Sequence, residues 1–509
     1  MKFTRIKWLS LFLTLVMLTA CTVAAPPPAA DSESPAPAMQ PTPEPTALPA
    51  PEPTAEPAPE TSTSGTASPV VGRWVGQISV AGQILDMVVK FAEQDGVLSG
   101  DIDVPQQGGV PFNSVTYNAP QIDFSMLPSP QTATFSGQMI DTDTITGTFS
   151  QAGYEGTFDL ARAAEVAAPP VPYAEEEVIF QNGEITLAGT LSIPEGDGPF
   201  PAVVLISGSG AQDRNETVFG FEVFRTLADA LTRNGVAVLR YDDRGVGGST
   251  GGSPDDTSAD FAEDVLAGVE MLGQRSEIDP AHIGLLGHSE GGLIAPMVAN
   301  ESDKVAFVIL MAGPSLPGEE ILDAQLHLIL AADGATPDQI DQASARQQQT
   351  LSAVRTGEGW DQLEADVRAE LQVSIDELPE AQRAQIPDVP AYIDGVVASQ
   401  LGAVRGAWFS FFVTYDPVPA LESLTVPMLA LYGGKDLQVP ADGNEAALQA
   451  IIDGSSNPAM TIKSFPTANH LFQEATTGSP TEYGALEKAF VSDFLDTITQ
   501  WIQAHSQTQ

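Results

Sequence analysis

Short runs in which apolar and polar residues alternate dominate the chain from residue 70 to about residue 162. The runs are separated by Gly, Asn, Asp and Pro, and they read RWVGQISV, LDMVVKF, GVLSGDIDV, SVTYNAPQIDFSM, QTATFSGQM and TITGTFS. Alternation with a period of two is typical of strands with one buried face. The pattern therefore predicts a small all-β domain over residues 70–165, an antiparallel sandwich or barrel. Because it contains no cluster of acids, histidines or bases, we interpret it as a packing or substrate-presenting module.

The pattern changes after a Pro-rich hinge, AAPPVP, at residues 167–172. Nearly continuous apolar runs now alternate with helical stretches, and these runs are PAVVLIS, VAVLRY, HIGLLG, VAFVIL and PMLALYG. Such runs are typical of strands buried on both faces, so residues 173–505 are expected to form a parallel α/β sheet. Residues 319–411 interrupt the alternation with long amphipathic, Glu- and Gln-rich helical patterns. We interpret them as a helical cap inserted over the strand ends.

The N-terminus has the features of an export signal. Three basic residues precede an apolar stretch from Trp8 to Leu18, which suits a signal peptide but is short for a membrane-spanning helix. The stretch ends in Leu18-Thr19-Ala20-Cys21, which resembles the lipobox of bacterial lipoproteins. That resemblance implies cleavage after residues 1–20 and acylation of Cys21; an ordinary signal peptide with an incidental cysteine is the alternative.

A proline-rich segment follows the signal. Residues 22–69 contain 14 of the 41 prolines, six acids and no base. Repeated prolines exclude helix and favour extended polyproline II, which at ~3.1 Å per residue reaches on the order of 100 Å. We expect residues 21–69 to be a lipidated, disordered stalk that places the protein outside the cytoplasm, on the cell membrane or the outer membrane. Thr22 is not the aspartate that favours inner-membrane retention, so the choice of membrane stays open.

Charge and cysteine content exclude several functions. The chain has 21 Lys and Arg against 67 Asp and Glu, a formal net charge of −46, whereas a nucleic-acid-binding face needs clustered basic residues. A single cysteine excludes an internal disulfide framework and a cysteine-rich metal site. With 43% hydrophobic residues the chain is nevertheless able to build a sizeable core. We expect folded acidic domains that bind no nucleic acid.

Two segments match the pattern G-x-S-x-G, and their surroundings distinguish them. Gly287-His288-Ser289-Glu290-Gly291 directly follows the apolar run IGLLG and leads into the helical pattern GLIAPMVAN. A serine at such a strand-to-helix turn projects its hydroxyl above the sheet. The second match, at residues 247–251, lies in a Gly-rich loop with no helix after it. We therefore predict Ser289 as a nucleophile and interpret Ser249 as a loop residue.

A serine nucleophile needs a base and an acid that orients the base. His470 follows the apolar run TIKSFP in a late loop, which makes it the candidate base. Asp436 stands directly after the apolar run LALYG and is the candidate acid, with Asp442 as the alternative. The other four histidines lie before or beside the nucleophile, in the cap and near the C-terminus: His282, His288, His327 and His505.

The oxyanion formed during acyl attack needs two main-chain donors. One is expected to be the N–H of Glu290, the residue after the nucleophile. The other should come from the loop after the first buried strand, SGSGAQ, where we favour Ser209 and then Gly210. The same loop is not a dinucleotide fingerprint, because Asp213 occupies the place of the third glycine. We expect no cofactor and no metal.

Several longer blocks carry a family resemblance. Seven blocks resemble secreted bacterial α/β-hydrolases of the serine aminopeptidase/esterase-like superfamily. These blocks are PAVVLISGSGAQDRNE, LRYDDRGVGGSTG, TSADFAEDV, HIGLLGHSEGGLIAPMVA, WFSFFVTYDP, GGKDLQVP and NHLFQEATTGSPTEY. The resemblance implies an α/β-hydrolase fold, a Ser289–Asp436–His470 triad in the family's chain order, and hydrolysis of carboxylic esters. Gly248 departs from the pattern, in which a basic residue is expected.

The leading hypothesis is a serine hydrolase that cleaves carboxylic esters of small or medium acyl groups through an acyl-enzyme on Ser289. Its partners would be a small-molecule acyl ester and, through lipidated Cys21, a membrane. A peptidase or thioesterase of the same fold is the nearest alternative. A non-catalytic, lipid-anchored binding protein is the alternative from a different class.

Overall fold

The structure, a computed structural model, contains two large sheets. It describes residues 68–80, 83–94, 96–104, 108–126, 132–151, 154–163, 171–378, 380–383, 386, 388–457 and 459–506. The first sheet is a closed barrel, and the second is an open sheet covered by helices. The predicted fold class, a small all-β domain followed by an α/β domain with a helical insertion, is confirmed.

Eight antiparallel strands form the barrel, each paired with the next in chain order: β1 (Gly72–Val80), β2 (Gln83–Gln94), β3 (Val97–Val104), β4 (Gly108–Asn118), β5 (Gln121–Met126), β6 (Ala133–Asp141), β7 (Thr144–Gln151) and β8 (Tyr154–Arg162). Pairing of β1 with β8, in which Trp74 lies opposite Arg162, closes the sheet. Of the two architectures that alternation allowed, the domain is therefore the barrel.

Aromatic side chains fill the barrel interior. Trp74 is fully buried, and Phe124 stacks on Phe135 with ring centroids 4.5 Å apart. Phe158 meets both of these rings edge-on. Glycine makes room for them, because a Cβ on Gly147 would lie 2.7 Å from the Phe158 ring. The inside of this barrel is a packed core.

Two strand boundaries differ from the sequence pattern. The run SVTYNAPQIDFSM forms parts of two strands, β4 and β5, with a turn at Ala119 and Pro120. The alternation of apolar and polar residues continues across this turn, and the turn contains no glycine. One long strand and two short strands would therefore give the same sequence pattern. The eighth strand, YEGTFDLAR, pairs with both β7 and β1 and is the strand that closes the barrel.

The second sheet has eight strands in the order β18-β17-β16-β15-β11-β14-β10-β9. Their bounds are β9 (Ala174–Asn182), β10 (Ile185–Ile193), β11 (Phe200–Ile206), β14 (Ala237–Tyr241), β15 (Ile278–His288), β16 (Val305–Met311), β17 (Met428–Gly433) and β18 (Met460–Phe465), while β12 (Thr217–Val218) and β13 (Phe221–Glu222) form a separate hairpin. The five predicted apolar runs lie in β11 and β14–β17, which are parallel. One edge differs from the expected parallel order, because a tight turn at Gly183 (φ +57°) folds β9 and β10 into an antiparallel hairpin.

Helices cover both faces of this sheet and also form an insertion between two of its strands. The helices of this part of the chain are α1 (Val223–Arg233), α2 (Ser258–Leu272), α3 (Gly291–Glu301), α4 (Gly318–Ala332), α5 (Pro337–Thr356), α6 (Trp360–Asp376), α7 (Glu380–Arg383), α8 (Val389–Arg405), α9 (Ala407–Thr414), α10 (Val418–Glu422), α11 (Ala441–Gly454), a 3₁₀ turn (Pro480–Ala485) and α12 (Phe494–His505). Val265, Leu293 and Leu448 place α2, α3 and α11 in the core of one face. Leu227 and Ile498 place α1 and α12 in the core of the other.

Helices α4–α10 lie between β16 and β17 and form the cap. They include a hydrophobic core of their own, to which α5, α6, α8 and α9 contribute buried residues such as Leu351, Leu363, Val397 and Phe409. No single helix of the described residues is long and apolar enough to cross a membrane. Helices α8 and α9, which are bent by 49° at Gly406, reach the length and apolar composition of a membrane-spanning segment only when the two are taken together.

The strand order changes direction at β11. The chain passes from β11 to β14 on one side and then to β15 on the other. The loops that leave the carboxyl ends of β11 and β15 therefore border one crevice. These two loops carry Ser209 and Ser289, so the fold places the predicted oxyanion loop beside the predicted nucleophile.

Candidate active site

Ser289 lies on the tight turn between β15 and α3. Its φ of +53° falls in the left-handed region, which non-glycine residues seldom adopt, and its N–H donates to the Met311 carbonyl (2.9 Å). The chain passes so close to itself that glycine is needed on both sides. A Cβ on Gly287 would lie 1.9 Å from the Gly291 carbonyl oxygen, and a Cβ on Gly291 2.2 Å from the Ile206 carbonyl oxygen. The G-x-S-x-G pattern thus corresponds to a strained turn that presents Ser289 to a pocket.

His470 and Asp436 form a buried pair beyond the ends of β18 and β17. Nδ1 of His470 lies 2.7 Å from Oδ2 of Asp436, and both side chains are almost fully buried. The other oxygen, Oδ1, accepts the N–H groups of Gln438 (2.7 Å) and Val439 (2.9 Å). These main-chain donors hold the carboxylate so that Oδ2 faces the imidazole. Asp442 is exposed on α11 and makes no hydrogen bond to His470.

The Ser289 hydroxyl makes no hydrogen bond to another described residue. Ser–His hydrogen bonds are often long without substrate and tighten in the reacting complex. His288 joins the two segments instead: its Nε2 donates to the His470 carbonyl (3.0 Å), and the two rings lie 4.8 Å apart. Its Nδ1 lies 2.7 Å from Oε1 of Glu216. Burial opposes a charge on His288, but the adjacent Glu216 carboxylate holds its pKa above the ordinary value.

Two acids, Asp243 and Glu216, hold the loop after β11. Asp243 accepts the Ser207 hydroxyl (2.8 Å) and the Gln212 N–H (2.8 Å). Burial raises the pKa of Asp243 to about 8, and the nearby carboxylates add to the effect. The Gly208 N–H donates to Glu216 (2.8 Å), the same acid that contacts His288. The loop is therefore tied both to the strand beside it and to the elbow.

The predicted oxyanion donors lie where this loop meets the elbow. Among the residues that the structure describes, the main-chain N–H groups of Glu290, Ser209 and Gly210 donate to no protein acceptor, whereas that of Gly208 is used by Glu216. Ser209 lines the same pocket as Ser289. These amides are therefore free to bind a developing oxyanion, and both loop donors stay candidates.

A pocket of about 60 Å³ opens beside Ser289 and Ser209. Cap helices α4 and α9 supply most of its apolar wall, through Ile321, Leu322, Trp408, Phe409 and Phe412. An apolar pocket with two serines at one end suits a small uncharged group next to a polar reaction centre.

Ser249, in the second G-x-S-x-G match, makes main-chain contacts. Its buried hydroxyl accepts the Ala188 N–H (2.9 Å) and donates to the Asp242 carbonyl (2.7 Å). The Asp242 carboxylate in turn accepts the Gly248 N–H (3.0 Å) and pairs with Arg214 (2.7 Å). A side chain at Gly248 would meet Ala188, with its Cβ only 2.8 Å away. Position 248, where the family resemblance leads one to expect a basic residue, therefore lies beside the Arg214–Asp242 ion pair.

Several residues around the site carry no local signal in the sequence. Glu216 and Asp243 are acids that a sequence pattern places on the surface, yet Glu216 is buried and Asp243 half-buried beneath the loop after β11. Ser258 and Trp408 both donate to the carboxylate of Glu290. The only available signal for these two was the pair of family-like blocks TSADFAEDV and WFSFFVTYDP, in which they lie.

Comparison with known proteins gives consistent matches. Residues 203–482, more than half of the chain, match the model of the alpha/beta hydrolase family. The chain is 29% identical to esterase EstD of Thermotoga maritima over 330 residues, which are 64% of this chain and 67% of the esterase. It is 30% identical to an uncharacterised protein of Mycobacterium tuberculosis over 152 residues, 30% of this chain and 50% of that protein.

Two further similarities are more limited. A thiohydrolase of Aspergillus aculeatus is 32% identical over 138 residues, which are 27% of this chain and 40% of the thiohydrolase. A solved esterase of Pyrococcus furiosus superposes with a TM-score of 0.41 at 15% identity, covering 67% of this chain and 96% of that chain.

Proposed function

The chain belongs to the alpha/beta hydrolase family, and from this premise we propose that it hydrolyses carboxylic esters of small or medium acyl groups through an acyl-enzyme on Ser289. The observation that carries the proposal is the buried His470–Asp436 hydrogen bond of 2.7 Å, on a loop that His288 ties to the nucleophile elbow. The similarity to an esterase from Thermotoga maritima supports the ester class.

The residues provide each step of acyl transfer. Asp436 accepts a hydrogen bond from the Nδ1–H of His470, which leaves Nε2 unprotonated and able to take the Ser289 proton as Oγ attacks the ester carbonyl carbon. The N–H of Glu290 and that of Ser209 stabilise the tetrahedral oxyanion. His470 then gives its proton to the departing alcohol. Water, deprotonated by the same Nε2, attacks the acyl-enzyme, and His470 returns the proton to Ser289 Oγ as the carboxylic acid leaves.

A thioester is the second candidate substrate. The resemblance to a thiohydrolase over 138 residues favours it, and the same acyl-enzyme chemistry releases a thiol in place of an alcohol. Matched series of esters and thioesters with the same acyl group would separate the two, because only the leaving group differs between them.

We expect a fluorophosphonate probe to label Ser289 at one equivalent per chain. The serine Oγ would attack phosphorus and expel fluoride, a reaction that needs an activated serine. Peptide mapping after labelling identifies the residue. The peptide that contains Ser249 is the internal control and should stay unmodified, because its hydroxyl is occupied by main-chain groups. Ester turnover with the label on any residue other than Ser289 would contradict the assignment.

We further propose that the mature protein is a lipoprotein outside the cytoplasm, anchored through Cys21. Residues 1–67, which include the predicted signal peptide, Cys21 and nearly all of the predicted stalk, lie outside the described residues, so the proposal rests on the lipobox-like segment and the composition of residues 21–69. Acyl chains stabilise membrane binding by ~0.8 kcal/mol per buried methylene, which makes a multiply acylated cysteine a firm anchor.

Labelled palmitate is expected to be incorporated into the wild-type chain in bacterial cells and not into Cys21→Ser. The variant should also appear in the soluble extracellular or periplasmic fraction, or remain as a precursor. Equal incorporation in both proteins would show that Cys21 is not the acylated residue.

A further inference from the structure

The side chain of Glu290, next to the nucleophile, connects three parts of the fold. It is 3% exposed, and its Oε1 accepts the Trp408 indole N–H (2.8 Å) and the Ser258 hydroxyl (2.6 Å). Trp408 belongs to cap helix α9, and Ser258 begins α2. One carboxyl therefore joins the nucleophile turn to the cap and to α2.

Among the described residues, Glu290 is surrounded by hydrogen-bond donors and forms no ion pair. Burial raises the pKa of Glu290, whereas the donors around it lower it. Oε1 accepts both bonds, so Ser258 and Trp408 are each held in the orientation that points the hydrogen at Glu290. The position of the Trp408 indole is therefore set by Glu290.

Trp408 is held on its ring face as well. Its ring stacks on Phe412 with centroids 5.5 Å apart and planes at 15°. Both rings line the pocket beside Ser289. The hydrogen bond of its N–H and the stacking of its ring together leave the Trp408 indole little freedom to move aside for a longer acyl chain.

The pocket that Trp408 and Phe412 line is small. Its volume is about 60 Å³, which holds about four to six water-sized groups. A space of this size suits a short acyl group. A fixed indole in such a space excludes longer chains by steric overlap.

Resting on the proposed ester hydrolysis, we propose that Glu290 is a positioning residue that holds Trp408 as a wall of the acyl pocket, and that this wall restricts the protein to esters of short acyl chains. Trp408 is the specificity-determining residue in this arrangement. Glu290 acts through it, while its main-chain N–H has the separate role of oxyanion donor.

A buried carboxyl beside a nucleophile suggests another role, which the contacts disfavour. A peptidase that removes N-terminal residues needs an acidic group open to the substrate amine. Oε1 of Glu290 already accepts two protein donors, and the residue is 3% exposed. An amine would have to displace Trp408 or Ser258 to reach it.

The test is the acyl-length profile of p-nitrophenyl esters from acetate to decanoate. We expect Trp408→Ala to raise the octanoate-to-acetate ratio of kcat/KM by about tenfold or more, the range expected when a few methylenes become accommodated. Trp408→Phe keeps an aromatic ring but loses the indole N–H, and should shift the ratio by less. Trp360→Ala is the matched control, because it removes another cap indole that does not line the pocket.

Variants of Glu290 test the positioning role. Glu290→Ala should broaden the length profile as Trp408→Ala does, whereas Glu290→Gln keeps an acceptor for the indole and should restore a profile close to wild type. An unchanged length profile in folded Trp408→Ala would show that Trp408 does not limit acyl length. An unchanged length profile in folded Glu290→Ala would show that Glu290 does not position Trp408. If the wild-type protein hydrolyses no acyl ester at all, the proposed function fails and this inference fails with it.

Discussion

Replacing Ser289 by alanine is expected to lower kcat/KM for a p-nitrophenyl ester by about 10⁴–10⁶-fold, the range seen when a serine hydrolase loses its nucleophile. The fold should be retained, because the hydroxyl makes no hydrogen bond to another described residue and alanine adds no atom at the strained φ of +53°. Initial rates at equal protein concentration, with thermal melting of both proteins, measure the two effects separately.

Ser249→Ala is the matched control because it changes the serine of the other G-x-S-x-G segment. It should leave turnover per folded molecule intact and lower the free energy of unfolding by about 1–3 kcal/mol, since the Ala188 N–H and the Asp242 carbonyl lose a buried partner. Wild-type turnover in folded Ser289→Ala would show that the nucleophile lies elsewhere.

The different surroundings of Ser289 and Ser249 show which features of a site can be predicted from the sequence. The elbow is a local structure: a buried strand, a turn that needs glycine at 287 and 291, and a helix occupy adjacent residues. At each of these positions an added Cβ would lie within 2.2 Å of a main-chain oxygen. Local steric requirements leave a local pattern, so Ser289 could be distinguished from Ser249 before any contact was known.

Contacts between distant segments leave no such pattern. Alternation predicted the strands of the all-β domain, but whether they form a sandwich or a barrel depends on pairing of Trp74 with Arg162, at opposite ends of the domain. Likewise Trp408 and Glu290 are separated by 118 residues. Their hydrogen bond exists because the cap folds back onto the elbow, and neither residue's neighbours indicate it.

The acids around the site are also placed by contacts between distant segments, so the net charge of the chain does not describe the charge at the site. A composition of 67 acids suggests a uniformly negative surface, yet Glu216 and Glu290 lie buried, and Asp243 half-buried, around the loop after β11. An unneutralised carboxylate there would repel the oxyanion. Glu216 faces His288. Burial raises the pKa of Asp243 to about 8 and the pKa of Glu290 above its ordinary value, which favours the neutral form of both acids. Neutralisation at the site is thus separate from the charge of the surface.

Asp436→Asn is expected to lower kcat/KM at neutral pH by about 10⁴-fold, as happens when a triad acid is replaced by its amide. The contacts of Asp436 give the reason. Its Oδ1 accepts two main-chain N–H groups, from Gln438 and Val439. An asparagine must keep its oxygen there, which turns its NH₂ group toward His470. Nδ1 must then accept a hydrogen bond, so the proton moves to Nε2, and Nε2 can no longer take the proton of Ser289.

Because the loss of activity in Asp436→Asn comes from a change of the His470 tautomer and not from unfolding, stability and labelling measurements can identify its cause. The variant should melt close to wild type, and fluorophosphonate labelling of Ser289 should slow in parallel with ester turnover, since both need the same proton acceptor. Asp442→Asn, on the exposed first turn of α11, is the matched control and should change neither rate. If Asp442→Asn were the slow variant and Asp436→Asn the unaffected one, the orienting acid would be Asp442, and the His470–Asp436 contact of 2.7 Å would have only a structural role.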